Sequence, residues 1–239
     1  MNHQDYELKE YSTERQWAVS EVFPMLMRKV YVWMTLALVI TGVVAYGVAT
    51  SPGFKSVLQT KPTLFWVLAL VEIGLVIGIS AAINRISLAI ATLMFIVYSV
   101  INGVMMSSIF MVYTDSSIAT VFFITAGTFA AMALVGYTTK TDLSSMGKIL
   151  FMALIGLIIA TVVNFFVKSE GLDMILSYVG VLIFVGLTAW DTQKIKQMLM
   201  QAPDASEHVQ KFALLGALTL YLDFINLFIY LLRIFGRRD

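Results

Sequence analysis

The chain has no cysteine, two histidines and four prolines in 239 residues, and it is short of charge: Asp, Glu, Lys and Arg make up only 13% of it. Without cysteine there is no disulfide framework, thiol nucleophile or Cys-based metal site. His3 and His208 both fall in polar segments, so a histidine metal cluster is not expected and no cofactor is implied. Soluble domains carry roughly a quarter charged residues. Here nine of the charged residues crowd into the first 29 positions, leaving the remainder poorer still. This scarcity excludes a soluble enzyme and a disordered chain, and a formal net charge of +1 with no basic stripe excludes a nucleic-acid binder. What is abundant is apolar: 59% of the residues are hydrophobic, the composition of a polytopic membrane protein whose main partner is lipid.

A hydrocarbon core of about 30 Å needs about 20 apolar residues in a helix. Seven stretches reach that length: 30–50, 62–83, 87–112, 117–137, 148–167, 172–193 and 212–232. They are continuously apolar, which argues against the alternation of membrane β-strands. The connections are too short for an extramembrane domain. The expectation is an all-α fold: a polar N-terminal segment, 1–29, followed by one seven-helix transmembrane domain, 30–239. The N-terminal segment lacks the basic-then-apolar order and cleavage site of a secretory signal, so the first apolar run is read as a retained span.

Basic residues near span ends are retained on the cytoplasmic side. Ten of the sixteen Lys and Arg fall on the side of the N-terminus and six on the other, so the N-terminus is expected in the cytoplasm. The basic tail, with Arg233, Arg237 and Arg238, fits poorly outside. Were the last segment re-entrant, the tally would be thirteen against three. Within the second span Gly74, Gly78 and Ala82 recur every four residues, a spacing that permits close helix packing.

Three acids lie inside spans, where a carboxylate at the centre costs roughly 2.5–3.5 kcal/mol. Glu72 is midway through the second, Asp191 near the end of the sixth and Asp223 close to the centre of the seventh. Asp191 could be a boundary residue, with Lys194 one turn on. Asp223 is too deep for its one-carbon side chain to reach water. It must be buried against protein, protonated, paired or hydrated, and a functional role is the default reading. Asn226 shares its face one turn away. If the carboxyls of Asp191 and Asp223 meet in a poorly hydrated site, they cannot easily both ionise and would share a proton, making a pH switch. Arg85, at the end of the second span, is the nearest candidate for a competing cation.

The segments Gly186-Leu187-Thr188-Ala189-Trp190-Asp191-Thr192-Gln193 and Tyr221-Leu222-Asp223-Phe224-Ile225-Asn226-Leu227-Phe228 resemble the two C-terminal signatures of the Bax inhibitor-1 family, with Gly136-Tyr137-Thr138-Thr139 adding to the likeness upstream. The likeness is greatest to bacterial inner-membrane members. The resemblance implies seven helices with the last one central, and a pH-sensitive calcium, or more generally cation, leak channel. Its proton sensor would be the pair Asp191 and Asp223, with Arg85 as a possible latch and Glu72 and Asn226 as secondary polar positions. The anti-apoptotic action of eukaryotic members does not carry over.

Two further readings belong to other classes. An intramembrane aspartyl protease also places one aspartate on each of two helices, but Trp190-Asp191 and Tyr221-Leu222-Asp223 do not match the Tyr-Asp and Gly-x-Gly-Asp such enzymes carry, so no enzymatic activity is expected. A non-conducting regulator would instead bind another membrane protein, such as a membrane-bound protease. Its N-terminal segment, with Tyr6, Leu8, Tyr11 and Trp17, could serve as the recognition tail.

Overall fold

A computed structural model describes residues 3–53, 56, 60, 62–202 and 204–237. Seven helices among them are long and apolar enough to cross a membrane. They are α1 (His3–Thr50), α2 (Pro62–Ala82), α3 (Leu88–Met106, continued by a 3-10 turn Ser107–Met111), α4 (Asp115–Thr138), α5 (Ser144–Val167), α6 (Glu170–Met200) and α7 (Glu207–Phe235). Polar N-termini start several of them. The hydroxyl oxygens of Ser87, Thr114 and Ser169 each accept a first-turn N–H, from Ile90, Ser117 and Leu172 respectively. Each cap satisfies one of the first-turn donors that a helix leaves open.

From His3 onward the polar N-terminal segment is a backbone continuation of α1. Its apolar span, Glu21–Thr50, contains Pro24 near its start. The side chains of Tyr6, Leu8, Tyr11 and Trp17 lie outside the described residues.

The helix interior is not shared evenly. In α7, 67% of the most apolar window is buried and in α6 44%, against 6% in α2 and in α5. The last helix is thus central: α1, α3, α4 and α6 pack on α7, whereas α2 packs on α3 and α5 on α6. Aromatic rings fill the contact. Phe224 meets Phe122 and Phe129 of α4 at centroid distances of 5.5 and 5.6 Å, and Tyr221 lies between Phe95 and Tyr98 of α3, each at 5.8 Å. Such edge-on pairs add about 0.5–1.5 kcal/mol beyond the area they bury.

Both ends of α7 are tied down. At its start the Lys211 ammonium donates to the Ile86 carbonyl at 3.0 Å, the Glu207 carboxylate caps the Leu88 N–H at 2.7 Å, and Lys29 of α1 donates to Gln210 at 2.8 Å. At its far end Arg233 pairs with Asp173 at the beginning of α6 (3.2 Å), and the Thr114 N–H donates to the Arg237 carbonyl at 3.1 Å. The helix therefore runs the length of the bundle and is not re-entrant. The tail lies at the end opposite the N-terminus, and the tally of ten against six applies. Arg233 has a local ionic partner, so its place at this end does not depend on being retained in the cytoplasm.

The close-packed seam expected at Gly74, Gly78 and Ala82 does not form. A Cβ at Gly74 would meet nothing within 4 Å, and one at Gly78 only the Met94 methyl. The tight approaches are elsewhere: Gly136 of α4 lies against the Ala189 carbonyl of α6, Gly147 of α5 lies under the Trp190 indole, and Gly180 of α6 faces the Tyr230 ring. Helix α2 sits at the rim, where an unpaired small face meets lipid at no cost. We predict that Gly136→Ala, which pushes a methyl into backbone, destabilises the folded protein by about 1–3 kcal/mol. Gly74→Ala should instead be neutral or gain up to about 1 kcal/mol of helix propensity. Unfolding midpoints of the two variants in detergent check both.

Candidate functional site: a buried carboxyl pair between the last two helices

The sixth and seventh helices are joined by a short turn and pack against each other along their length. That antiparallel pairing brings the two signature segments together. Asp191 (8% exposed) and Asp223 (4% exposed) both line a groove of about 430 Å³ between α5, α6 and α7. They are close enough for the charge of one to act on the other. Asn226 and Thr219 line the same groove, one turn to either side of Asp223 on α7. Their side chains donate to carbonyls of their own helix, Asn226 to Leu222 at 2.8 Å and Thr219 to Leu215 at 3.1 Å. The remaining wall is apolar, including Leu154, Ile158, Phe184 and Leu187.

One oxygen of the pair has no partner. Asp223 Oδ2 is fully buried and receives no hydrogen bond. Leaving a buried acceptor unmade costs about 1–3 kcal/mol, and more for a charged one. A proton on the pair removes the charge, and a water in the groove would supply the missing donor. Either way, the occupancy of this oxygen is coupled to how the groove is hydrated.

The cation that acts on Asp191 is Lys194, one turn further along α6, whose ammonium also lies 5.0 Å from the centre of the Trp190 ring. Arg85 is elsewhere. It is exposed on the turn after α2, a helix that packs on α3, and it is not among the residues lining the groove. The latch contact is not formed in this conformation. Glu72 also lies away from the pair. It is half-buried on α2 and accepts a hydrogen bond from Asn102 Nδ2 of α3 at 3.0 Å.

Sequence reading overlooked Gln193, two residues beyond Asp191 and 5% exposed. Its amide oxygen accepts from the Leu143 N–H and its amide nitrogen donates to the Thr141 carbonyl, both at 2.8 Å, so one side chain clamps the α4–α5 turn onto α6. Lys196 supports the same junction by donating to the terminal Tyr137 carbonyl of α4 at 2.7 Å. The signal was present as an amide at the last position of the sixth apolar run, but an amide at a span end has many other uses.

A helical membrane bundle with two buried carboxyls lining one groove, one from each of its last two helices, defines a class of intramembrane acid-pair proteins. Residues 24–239 match the family described as "Inhibitor of apoptosis-promoting Bax1", and the chain belongs to this Bax inhibitor-1 family. Inner membrane protein YbhL of Escherichia coli is 50% identical over 213 residues, which is 89% of this chain and 91% of that protein. An uncharacterized protein of Borreliella burgdorferi is 46% identical over 212 residues, 89% and 91% of the two chains. Uncharacterized protein RP147 of Rickettsia prowazekii is 41% identical over 235 residues, 98% of each.

Replacing Asp223 with leucine removes the orphan oxygen and leaves a side chain of similar bulk. We expect Asp223→Leu to unfold at the same temperature as the parent or higher, by up to about 1–3 kcal/mol in stability. A fall of that size in a detergent melting experiment would show instead that the carboxylate is a structural partner.

Proposed function

We propose that the protein is a proton-sensitive cation leak of the bacterial inner membrane, with calcium as the permeant ion that the family resemblance implies. The observation that carries the reading is the Asp191–Asp223 pair: two nearly inaccessible carboxyls, one oxygen without a partner, in a groove between three helices. Burying such a pair costs folding energy that an apolar pair would not, which is the mark of a group retained for what it does. The other titratable groups facing the pair are Lys194 and Tyr230, which line the same groove.

Protonation changes the charge between α6 and α7. Two packings of these helices that differ in how well they hold the proton would shift population with pH, which is the two-state element gating requires. The N-terminus is assigned to the cytoplasm by the Lys and Arg distribution. None of the residues lining the groove falls within 2–24, so the leak is expected not to depend on that segment.

In proteoliposomes loaded with a calcium indicator, we expect calcium flux to change with pH in the wild type. Asp223→Asn and Asp191→Asn should each flatten that dependence, and deletion of residues 2–24 should leave it in place. Wild-type vesicles without flux, or an Asp223→Asn variant with an unchanged pH profile, would overturn the assignment.

A further inference from the structure

On the other side of α7 a second polar chain crosses the bundle. Tyr221, fully buried, donates its hydroxyl to Asn102 Oδ1 of α3 at 3.0 Å and lies 2.6 Å from the Thr41 hydroxyl of α1. Asn102 Nδ2 donates to Glu72 Oε1 of α2 at 3.0 Å, and Thr41 Oγ1 donates to the Ser99 carbonyl at 3.0 Å. Four helices thus contribute one side chain each to an unbroken run: Glu72, Asn102, Tyr221, Thr41. Gly103 makes the run possible. A Cβ there would lie 2.8 Å from the Thr41 carbonyl oxygen and 2.7 Å from Val44 Cβ, so only glycine lets α1 approach α3 this closely.

These contacts cannot all be made with one set of hydrogens. Thr41 and Tyr221 have one hydroxyl hydrogen each. If Tyr221 donates to Asn102 Oδ1, Thr41 must donate to Tyr221. Asn102 then donates to Glu72, which accepts as a carboxylate, and the Ser99 carbonyl keeps only its helical partner. If instead Thr41 donates to Ser99, Tyr221 must donate to Thr41. Tyr221 can then only accept from Asn102, so the amide has to turn over and present its oxygen to Glu72. Two facing oxygens need a hydrogen between them, and the only group in the run able to supply it is a protonated Glu72.

We infer that Glu72, Asn102, Tyr221 and Thr41 form a second proton-binding site, in which one proton taken up on the Glu72 carboxylate turns over the Asn102 amide and reverses every hydrogen bond as far as Thr41. Apart from the O–H formed on Glu72, no covalent bond is made or broken. The hydroxyl hydrogens rotate and the amide turns, while the bound proton stays on Glu72. The titratable groups facing Glu72 are Tyr98 of α3 and Tyr221 of α7; α3 is the helix against which α2 packs. The protonated arrangement adds a bond, Thr41 to Ser99, that ties α1 to α3. Positions two apart on a helix face different ways. Tyr221 and Asp223 therefore load the same central helix from different sides, and this site stands whether or not the aspartate pair gates a leak.

Infrared difference spectra between acid and alkaline pH, recorded on the full chain in lipid nanodiscs, test this inference. An Asp191→Asn, Asp223→Asn double variant removes the carboxyl bands of the other site. In that background we expect a carboxylic-acid carbonyl band on acidification that disappears in Glu72→Gln. The band should change frequency in Thr41→Val and in Tyr221→Phe, although Thr41 is separated from Glu72 by two side chains. A band that is missing, that survives Glu72→Gln, or that keeps its frequency in whichever of the Thr41 and Tyr221 variants folds, overturns the inference. The double variant is itself the loss-of-gating form of the proposed leak, so a failure here and a failure there are read from separate samples.

Discussion

A bilayer offers no hydrogen bonds, so every polar group carried into it must be satisfied by protein or leave some oxygen bare. The organisation of this bundle follows from where that requirement is met. Helix α7 carries Thr219, Tyr221, Asp223 and Asn226 within eight residues, too polar a stretch to face lipid, and four neighbouring helices enclose it. Helices α2 and α5 carry almost nothing polar along their middles apart from Glu72, and they lie at the rim. Burial in the bundle is thus sorted by polarity, the reverse of the order in a water-soluble fold.

Within that enclosure the polar residues of α7 are treated in two different ways. Tyr221 is held by partners from other helices and is packed between two aromatic rings. Asp223, two positions on, keeps a bare oxygen in a groove. The Tyr221 network can reverse its donors while its heavy atoms hold the helix in register, whereas an unsatisfied carboxyl gives the same helix a reason to shift against its surroundings. The two sides of the central helix differ in this way because a helix places residues two apart on different faces.

Much of this could be read from the chain before any coordinates. The seven apolar runs match the seven observed helices to within about five residues at most bounds; α6 continues seven residues past its run, and α1 starts back at His3 because backbone helicity does not require an apolar sequence. Asp191 and Asp223 could be found because a charge inside a span is costly wherever it points, and Asn226 because it stands one turn from Asp223; the structure brings all three to one groove. The contribution of Thr41, Asn102 and Gly103 could not be found. Threonine, asparagine and glycine are ordinary residues of membrane helices, and their meaning lies in which partner they meet across 58 to 180 positions of chain. Arg85 and the Gly74–Gly78 seam show the converse. Spacing along one helix says which face a residue occupies, but not whether another helix covers that face.

The helix at the centre of the bundle is made after the other six spans. When the ribosome has delivered α1 to α6, the slot that α7 will fill is lined by Thr41, Asn102, Phe129 and Asp191, with no helix inside it. A six-helix intermediate of this kind cannot complete its polar contacts by itself. It must admit lipid or water, collapse, or be held open until α7 arrives. Final assembly therefore waits on Glu207–Phe235, and a ribosome that stalls before them leaves a product with every other span and no central helix.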